Sequence, residues 1–311
     1  MIITINDDSY LDTRIDSFLA DYFEDYSRSK LSKLIKQGLV KVNNKPVKTS
    51  YLLKSLDQIE LSLKDLEIKA IEKENIYINV IYEDEDIAII DKPVAMLSHP
   101  TSTVRSNTLV NALLNRFDSL SDINGQDRLG IVHRLDFNTS GLMIIAKTNR
   151  AGEELIGMFK NRTITKKYRA ICIGNFAEKE GVLEYPIGRN LANRKLMTVD
   201  SLNGKYAKTS FKLIWETKGY SYLHLDLYTG RTHQIRVHLA HINRPILGDR
   251  DYGGKRPEFS IDHQLLQSFY LEFDHPISKK HLRFQIDESS QIKKYADLLF
   301  KERSCTQELK A

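Results

Sequence analysis

In the segment GIVHRLDFNTSGLMIIAKT, residues 130–148, His133, Arg134 and Asp136 stand in a turn that runs through Thr139, Ser140 and Gly141 into an unbroken apolar stretch. A carboxylate on a loop anchored by a rigid strand can be presented to a substrate as a nucleophile or a base. A loop Asp also caps backbone amides, and the residue types alone admit both uses. A second polar set, Arg231, His233, Arg236, His238 and His241, falls within residues 230–254. Its histidines have no Cys or carboxylate at metal-ligand spacing and form no HExxH pattern, so no metal is expected. The HRLD string shares letters with the kinase HRD loop, but no Gly-rich phosphate loop precedes it and no DFG follows. With no dinucleotide fingerprint either, no cofactor is expected.

The elements that must position these groups follow from periodicity. Residues 15–22 and 29–37 carry apolar residues at helical spacing, and Gly38 stands at the C-cap of the second helix. Val40, Val42, Val47, Ile59, Leu61 and Leu63 alternate as strands around a turn at Asn43 and Asn44. Residues 12–63 are therefore read as a small α/β unit, and the charged residues 64–78 as a linker. A larger domain is expected over residues 79–300, with strands at 80–82, 87–90, 142–146, 168–173, 209–215 and 222–228. Helices are expected at 108–117 and 291–300, before a polar tail at 301–311. Many strands with few interleaved helices predict an α+β fold on a mixed, largely antiparallel sheet.

The chain has 311 residues, 41% of them hydrophobic, enough for a sizeable core and a second unit. Its two cysteines, Cys172 and Cys305, are far apart, which suits a reducing compartment. The acidic N-terminal residues do not resemble a signal peptide and no apolar run reaches membrane-spanning length, so a cytoplasmic protein with no membrane partner is expected. A monomer is expected. The net charge of +5 hides a sharper segregation: Arg28, Lys30, Lys33 and five further lysines up to Lys54 are uninterrupted by any acid.

The string HRLD followed by TSGL resembles the central motif of the RluA/RluD-type RNA pseudouridine synthases. The resemblance continues through IDKPVAMLSHP at residues 90–100, Lys166 to Tyr168, GRTHQIRVHLAHINRPILGDRDYGG at 230–254, and FDHP at 273–276, in the family's order. It implies that Asp136 is the catalytic carboxylate, Arg236 its paired guanidinium and Tyr168 the aromatic group packed on a flipped base. It implies further that Arg134 fills the gap left by that base. His133, Arg231 and His233 are expected to contact RNA or support the site, and Tyr168 is a candidate for removing the proton from carbon 5. Phe137, Ala95 and Gln267 depart from the residues usual in the family at those positions.

Residues 12–63 resemble the S-four-like RNA-binding domain that often precedes this catalytic domain, which makes Arg28, Lys30 and Lys33 candidate phosphate contacts. The implied reaction is isomerisation of uridine to pseudouridine, most readily in large-subunit ribosomal RNA. Transfer RNA is the alternative substrate, and a non-catalytic RNA-binding or ribosome-assembly protein the alternative class.

Overall fold

Apolar residues three and four apart put one face of each N-terminal helix against a small sheet. In α1 (Ile15–Tyr22) that face is Ile15, Phe18 and Leu19; in α2 (Arg28–Lys36) it is Leu31, Leu34 and Ile35. Gly38, at φ 73°, ends α2 by turning the chain so that the Leu39 N–H donates to Leu34 O at 3.1 Å. The chain then forms β2 (Val40–Val42), turns at Asn43 and Asn44 with φ of 50° and 64°, and returns as β3 (Lys45–Pro46). With β1 (Ile2–Thr4) and β4 (Gln58–Leu61) these strands form a sheet of order β1-β4-β2-β3. Strand β1 lies before the expected start of the unit at residue 12, and Val47 falls just beyond β3.

This structure, a computed structural model, describes all residues except 24, 25, 27, 62–70, 102, 218, 257 and 309–311. The expected strand residue Leu63 and the first part of the expected linker lie outside the described residues. The chain divides into two compact units, Met1–Ala70 and Ile71–Ala311. Residues 71–78 have no helix or strand but belong to the second unit, where the Glu74 N–H donates to Asn111 O at 3.0 Å.

The second unit is built on β5 (Asn79–Glu83), β6 (Ile87–Lys92), β7 (Ser140–Ala146), β8 (Thr165–Ile173), β9 (Glu180–Glu184), β12 (Lys208–Thr217), β13 (Tyr220–Leu227), β14 (Leu266–Asp274) and β15 (His281–Gln285). Their order is β5-β6-β7-β14-β8-β13-β12-β9, with β15 also paired to β14. Only the short contact of β7 with β14 is parallel among these pairings, so the sheet is mixed and largely antiparallel, as expected. A hairpin of β10 (Ile187–Arg189) and β11 (Met197–Val199) stands as a separate small sheet.

Strand β7 is buried along its whole length because both its faces are covered. Met143 and Ile145 share a core with Leu109, Val110 and Leu113 of α3 (Leu109–Arg116), while Leu142 and Ile144 pack with Ala151 and Leu155 of α4 (Asn149–Asn161). The last helices are α5 (Gln234–His241) and α6 (Ser290–Glu308). Helix α6 runs past Phe300, so residues 301–308 continue it and do not form the expected tail. Among the described residues no helix is long and apolar enough to cross a membrane.

Candidate active site

The turn before β7 is strapped from both sides by main-chain contacts. The Asp136 carbonyl accepts the Thr139 N–H at 3.0 Å, the Phe137 carbonyl accepts the Met96 N–H at 3.1 Å, and Ser98 Oγ donates to Leu135 O at 3.0 Å. Lys92, fully buried at the end of β6, sends its Nζ to the carbonyl oxygens of Pro93 at 2.7 Å, Met96 at 2.9 Å and Phe137 at 3.4 Å. Three acceptors match the three N–H groups of an ammonium. Burial pulls the pKa of Lys92 down to about 7, while the charges of Asp136 and Asp91 pull it back up. Gly141, at φ 116°, lets β7 approach β14 directly behind this turn, where any Cβ would strike the Ser268 carbonyl.

Held in this way, Asp136 faces a cleft lined also by Arg134, Tyr168, Arg231, His233 and Arg236. Its carboxylate is 17% exposed, and Oδ2 lies 3.6 Å from Nη1 of Arg236. That arginine, on the first turn of α5, is gripped far more tightly from behind. Its Nε and Nη2 donate to the buried Asp249 at 2.7 and 2.9 Å, and Nη2 also donates to Asp251 at 2.7 Å. Burial opposes its charge, but the hydrogen bonds and charge of Asp249, with Asp136 and Asp251, outweigh burial and raise its pKa. A bidentate grip on Asp249 fixes the plane of the guanidinium and leaves the looser contact for Asp136.

Tyr168 in β8 and His233 at the start of α5 line the same cleft. Burial, and secondarily the Asp136 charge, raises the Tyr168 pKa, so its ring presents a neutral phenol. His233 takes a left-handed conformation, φ 55°, and its Nδ1 is 2.8 Å from the hydroxyl of Tyr252. Burial lowers its pKa and favours the neutral ring. The Tyr252 hydroxyl also accepts the Met197 N–H at 2.9 Å, and its ring lies 4.9 Å from the Arg236 guanidinium carbon. Tyr252 thus joins hairpin β10–β11, His233 and Arg236.

Of the residues expected at the site, Arg134, Asp136, Tyr168, Arg231, His233 and Arg236 come together around one cleft although they span more than a hundred positions in sequence. His133 is placed elsewhere. Its Nε2 accepts the Ile144 N–H at 2.8 Å, its ring stacks on Phe159 at 4.6 Å, and burial with the Lys166 charge lowers its pKa to about 3. It therefore braces β7 and the turn from inside, where the sequence had suggested an RNA contact. Arg28 belongs to the first unit and pairs with Asp16 at 3.1 Å; Lys33 is exposed on α2, and the Lys30 side chain lies outside the described residues. The histidine His238 bonds within the fold, with Nδ1 3.1 Å from Thr209 Oγ1 and Nε2 3.0 Å from Tyr185 O.

Lys92, Asp249, Asp251 and Tyr252 went unassigned at the level of sequence. A signal existed for all four, since Lys92 falls inside the string at residues 90–100 and Asp249, Asp251 and Tyr252 inside the one at 230–254. At the departures from the family pattern, Ala95 adopts φ 56°, a conformation that favours glycine, and Gln267 is buried with its amide shared between Asp287 O and the Ser289 N–H. Neither faces the Asp136 carboxylate, and Phe137 is exposed.

Residues 86–241 match the RNA pseudouridylate synthase family, and residues 13–59 match the S4 domain. An uncharacterized RNA pseudouridine synthase of Aquifex aeolicus (strain VF5) is 40% identical over 292 residues, 90% of this chain and 92% of that protein. The ribosomal large subunit pseudouridine synthase D of Pasteurella multocida (strain Pm70) is 41% identical over 262 residues, 84% of this chain and 79% of that protein. Among solved structures, human RNA pseudouridylate synthase domain containing 1 shares the fold, with a TM-score of 0.56 and 24% identity over 73% of this chain and 89% of that one. The chain belongs to the RNA pseudouridine synthase family, with an S4 domain at its N-terminal side, and is an isomerase.

Proposed function

We propose that this enzyme converts uridine to pseudouridine in large-subunit ribosomal RNA, with Asp136 as the catalytic carboxylate. The observation that carries the reading is the Asp136 carboxylate at the cleft, 3.6 Å from a guanidinium whose position is set by Asp249 and Asp251 rather than by Asp136 itself. An arginine fixed in this way sets a positive charge beside Asp136 while leaving its oxygens available to a nucleotide. Asp136 acts on the ribose of a flipped uridine, by attack on the sugar or by removal of a ribose proton. The bond from nitrogen 1 to the sugar breaks, the uracil turns, carbon 5 bonds to the sugar, the proton on carbon 5 leaves to solvent and nitrogen 1 takes one up, so that the product is an isomer.

Tyr168 packs against the turned-out base, and its raised pKa makes it a poor base for the carbon 5 proton. Arg134, exposed at the cleft, fills the space the base vacates and offsets part of the few kcal/mol of lost stacking. Arg28 and Lys33, exposed in the first unit, contact phosphates and hold the RNA without reading its bases. Relatives named ribosomal large subunit pseudouridine synthase D support the choice of RNA. The test is tritium release from RNA labelled at carbon 5 of uridine, run in parallel on large-subunit ribosomal RNA and on transfer RNA. Release from the ribosomal RNA is expected; release from transfer RNA alone would overturn the assignment of substrate.

A further inference from the structure

The cleft is flanked by cations that, unlike Arg236, have no acid beside them. Arg162 ends α4 in a left-handed conformation, φ 60°, and its guanidinium lies over the Tyr206 ring at 5.7 Å. The Tyr206 carbonyl accepts Nε of Arg231, a cleft residue, at 3.0 Å. On the strand that carries Tyr168, Lys166 stands two residues earlier and so projects from the same face. Its Nζ lies 5.3 Å from the Phe159 ring, which stacks on His133, the neighbour of Arg134 in the cleft. Two side chains from α4 and β8 therefore extend the line begun by Arg134 and Arg231.

Among the described residues, none of these four cations forms an ion pair. The adjacent Lys167, on the opposite face of β8, shows what the ordinary arrangement looks like: it pairs with Asp226 at 3.6 Å. Nearby Glu184 is already engaged, by Lys208 at 3.1 Å and by the Tyr206 hydroxyl at 2.7 Å. Burial and the charge of Arg162 lower the Lys166 pKa to about 8, which is the response of a partly buried cation with no counter-charge. Such a group is stabilised when an anion arrives.

We propose that Arg162 and Lys166, continuing from Arg231, form a subsite for a phosphodiester of the RNA backbone next to the flipped uridine. It rests on the reading of the cleft as the uridine site. A flipped nucleotide remains tethered through phosphates on both sides, so a cation pair on the strand of Tyr168 grips the backbone where it leaves the stack. The subsite contributes binding and position through charge, with no discrimination among bases.

The test measures RNA affinity against salt for the full chain carrying Asp136→Asn, on an RNA that the wild type isomerises, so that turnover plays no part in the readout. Each phosphate contact removed lowers the slope of log affinity against log salt by about 0.7–0.9, so Arg162→Gln with Lys166→Gln, which empties a subsite for one phosphodiester, is expected to flatten it by about that amount. Lys166→Arg should preserve the slope, and Lys280→Gln, in the turn between β14 and β15, serves as the control and should leave it unchanged. Arg162 is exposed, so Arg162→Gln alone gives a reading even if the Lys166 change impairs folding. An unchanged slope in Arg162→Gln and in the double variant, or equal flattening by Lys280→Gln, would overturn the subsite. Failure of the uridine reading would appear separately, as absence of tritium release by the wild type.

Discussion

In the first unit one buried carboxylate, Asp16, gathers two half-exposed arginines, Arg14 at 3.0 Å and Arg28 at 3.1 Å. In the second unit one buried arginine, Arg236, stands among three carboxylates, Asp136, Asp249 and Asp251. The first cluster turns excess positive charge outward, where a polyanion can meet it. The second sets three carboxylates around a fixed cation with Asp136 alone of them lining the cleft, an arrangement suited to reaction rather than to grip. The same two residue types thus serve opposite ends, according to which of them is buried.

The comparison is tested most severely at its buried cation. Arg236→Ala strands Asp249, which is fully buried, and removes the guanidinium from Asp136; a loss of about 3–5 kcal/mol in denaturant unfolding is expected, with isomerisation abolished. Unfolding indistinguishable from wild type would mean that the carboxylates do not depend on Arg236. A smaller effect is expected behind it. Tyr252→Phe keeps the ring over Arg236 but deletes the hydroxyl shared by Met197 and His233, which should cost roughly 1–2 kcal/mol and slow tritium release up to about 10-fold.

The smallest effect belongs to the outward cluster. The Arg14 hydrogen bond, against burial, and then Arg28 hold the Asp16 carboxyl at about 2, below its ordinary 3.8. A depressed carboxyl stabilises the folded unit fully above 3.8, and the contribution fades as pH falls toward 2. Hydrogen exchange in α1 should therefore quicken across that acid window, and Asp16→Asn should remove the dependence at a cost of about 1 kcal/mol or less, because both arginines are half exposed. A pH response that survives Asp16→Asn would assign the acid sensitivity to another group.

Helices α1 and α2 and the turn at Asn43 and Asn44 were legible because their periodicity and their turn residues act locally. So was the central strand β7, whose continuous apolar run reflects burial on both faces. Helix α5 was hidden: it buries polar residues, Gln234, Arg236 and His238, as well as apolar ones, and so shows little amphipathic pattern. Strand β14 escaped for a related reason, since Gln267 and Ser268 are buried in its pairing with β7 and β8. At the cleft, the motif strings pointed to Asp136, Tyr168 and Arg236. The division of labour within them depends on contacts across the fold: His133 turned inward to Ile144, and Asp249 behind Arg236.

The central claim is tested most directly by tritium release from RNA labelled at carbon 5 of uridine, comparing the wild type with Asp136→Asn. The substitution keeps the size of the side chain and removes its charge. It should lower release by at least ~10³-fold while RNA binding persists. Equal release by the two proteins would show that the carboxylate beside Arg236 is not the one that performs the reaction.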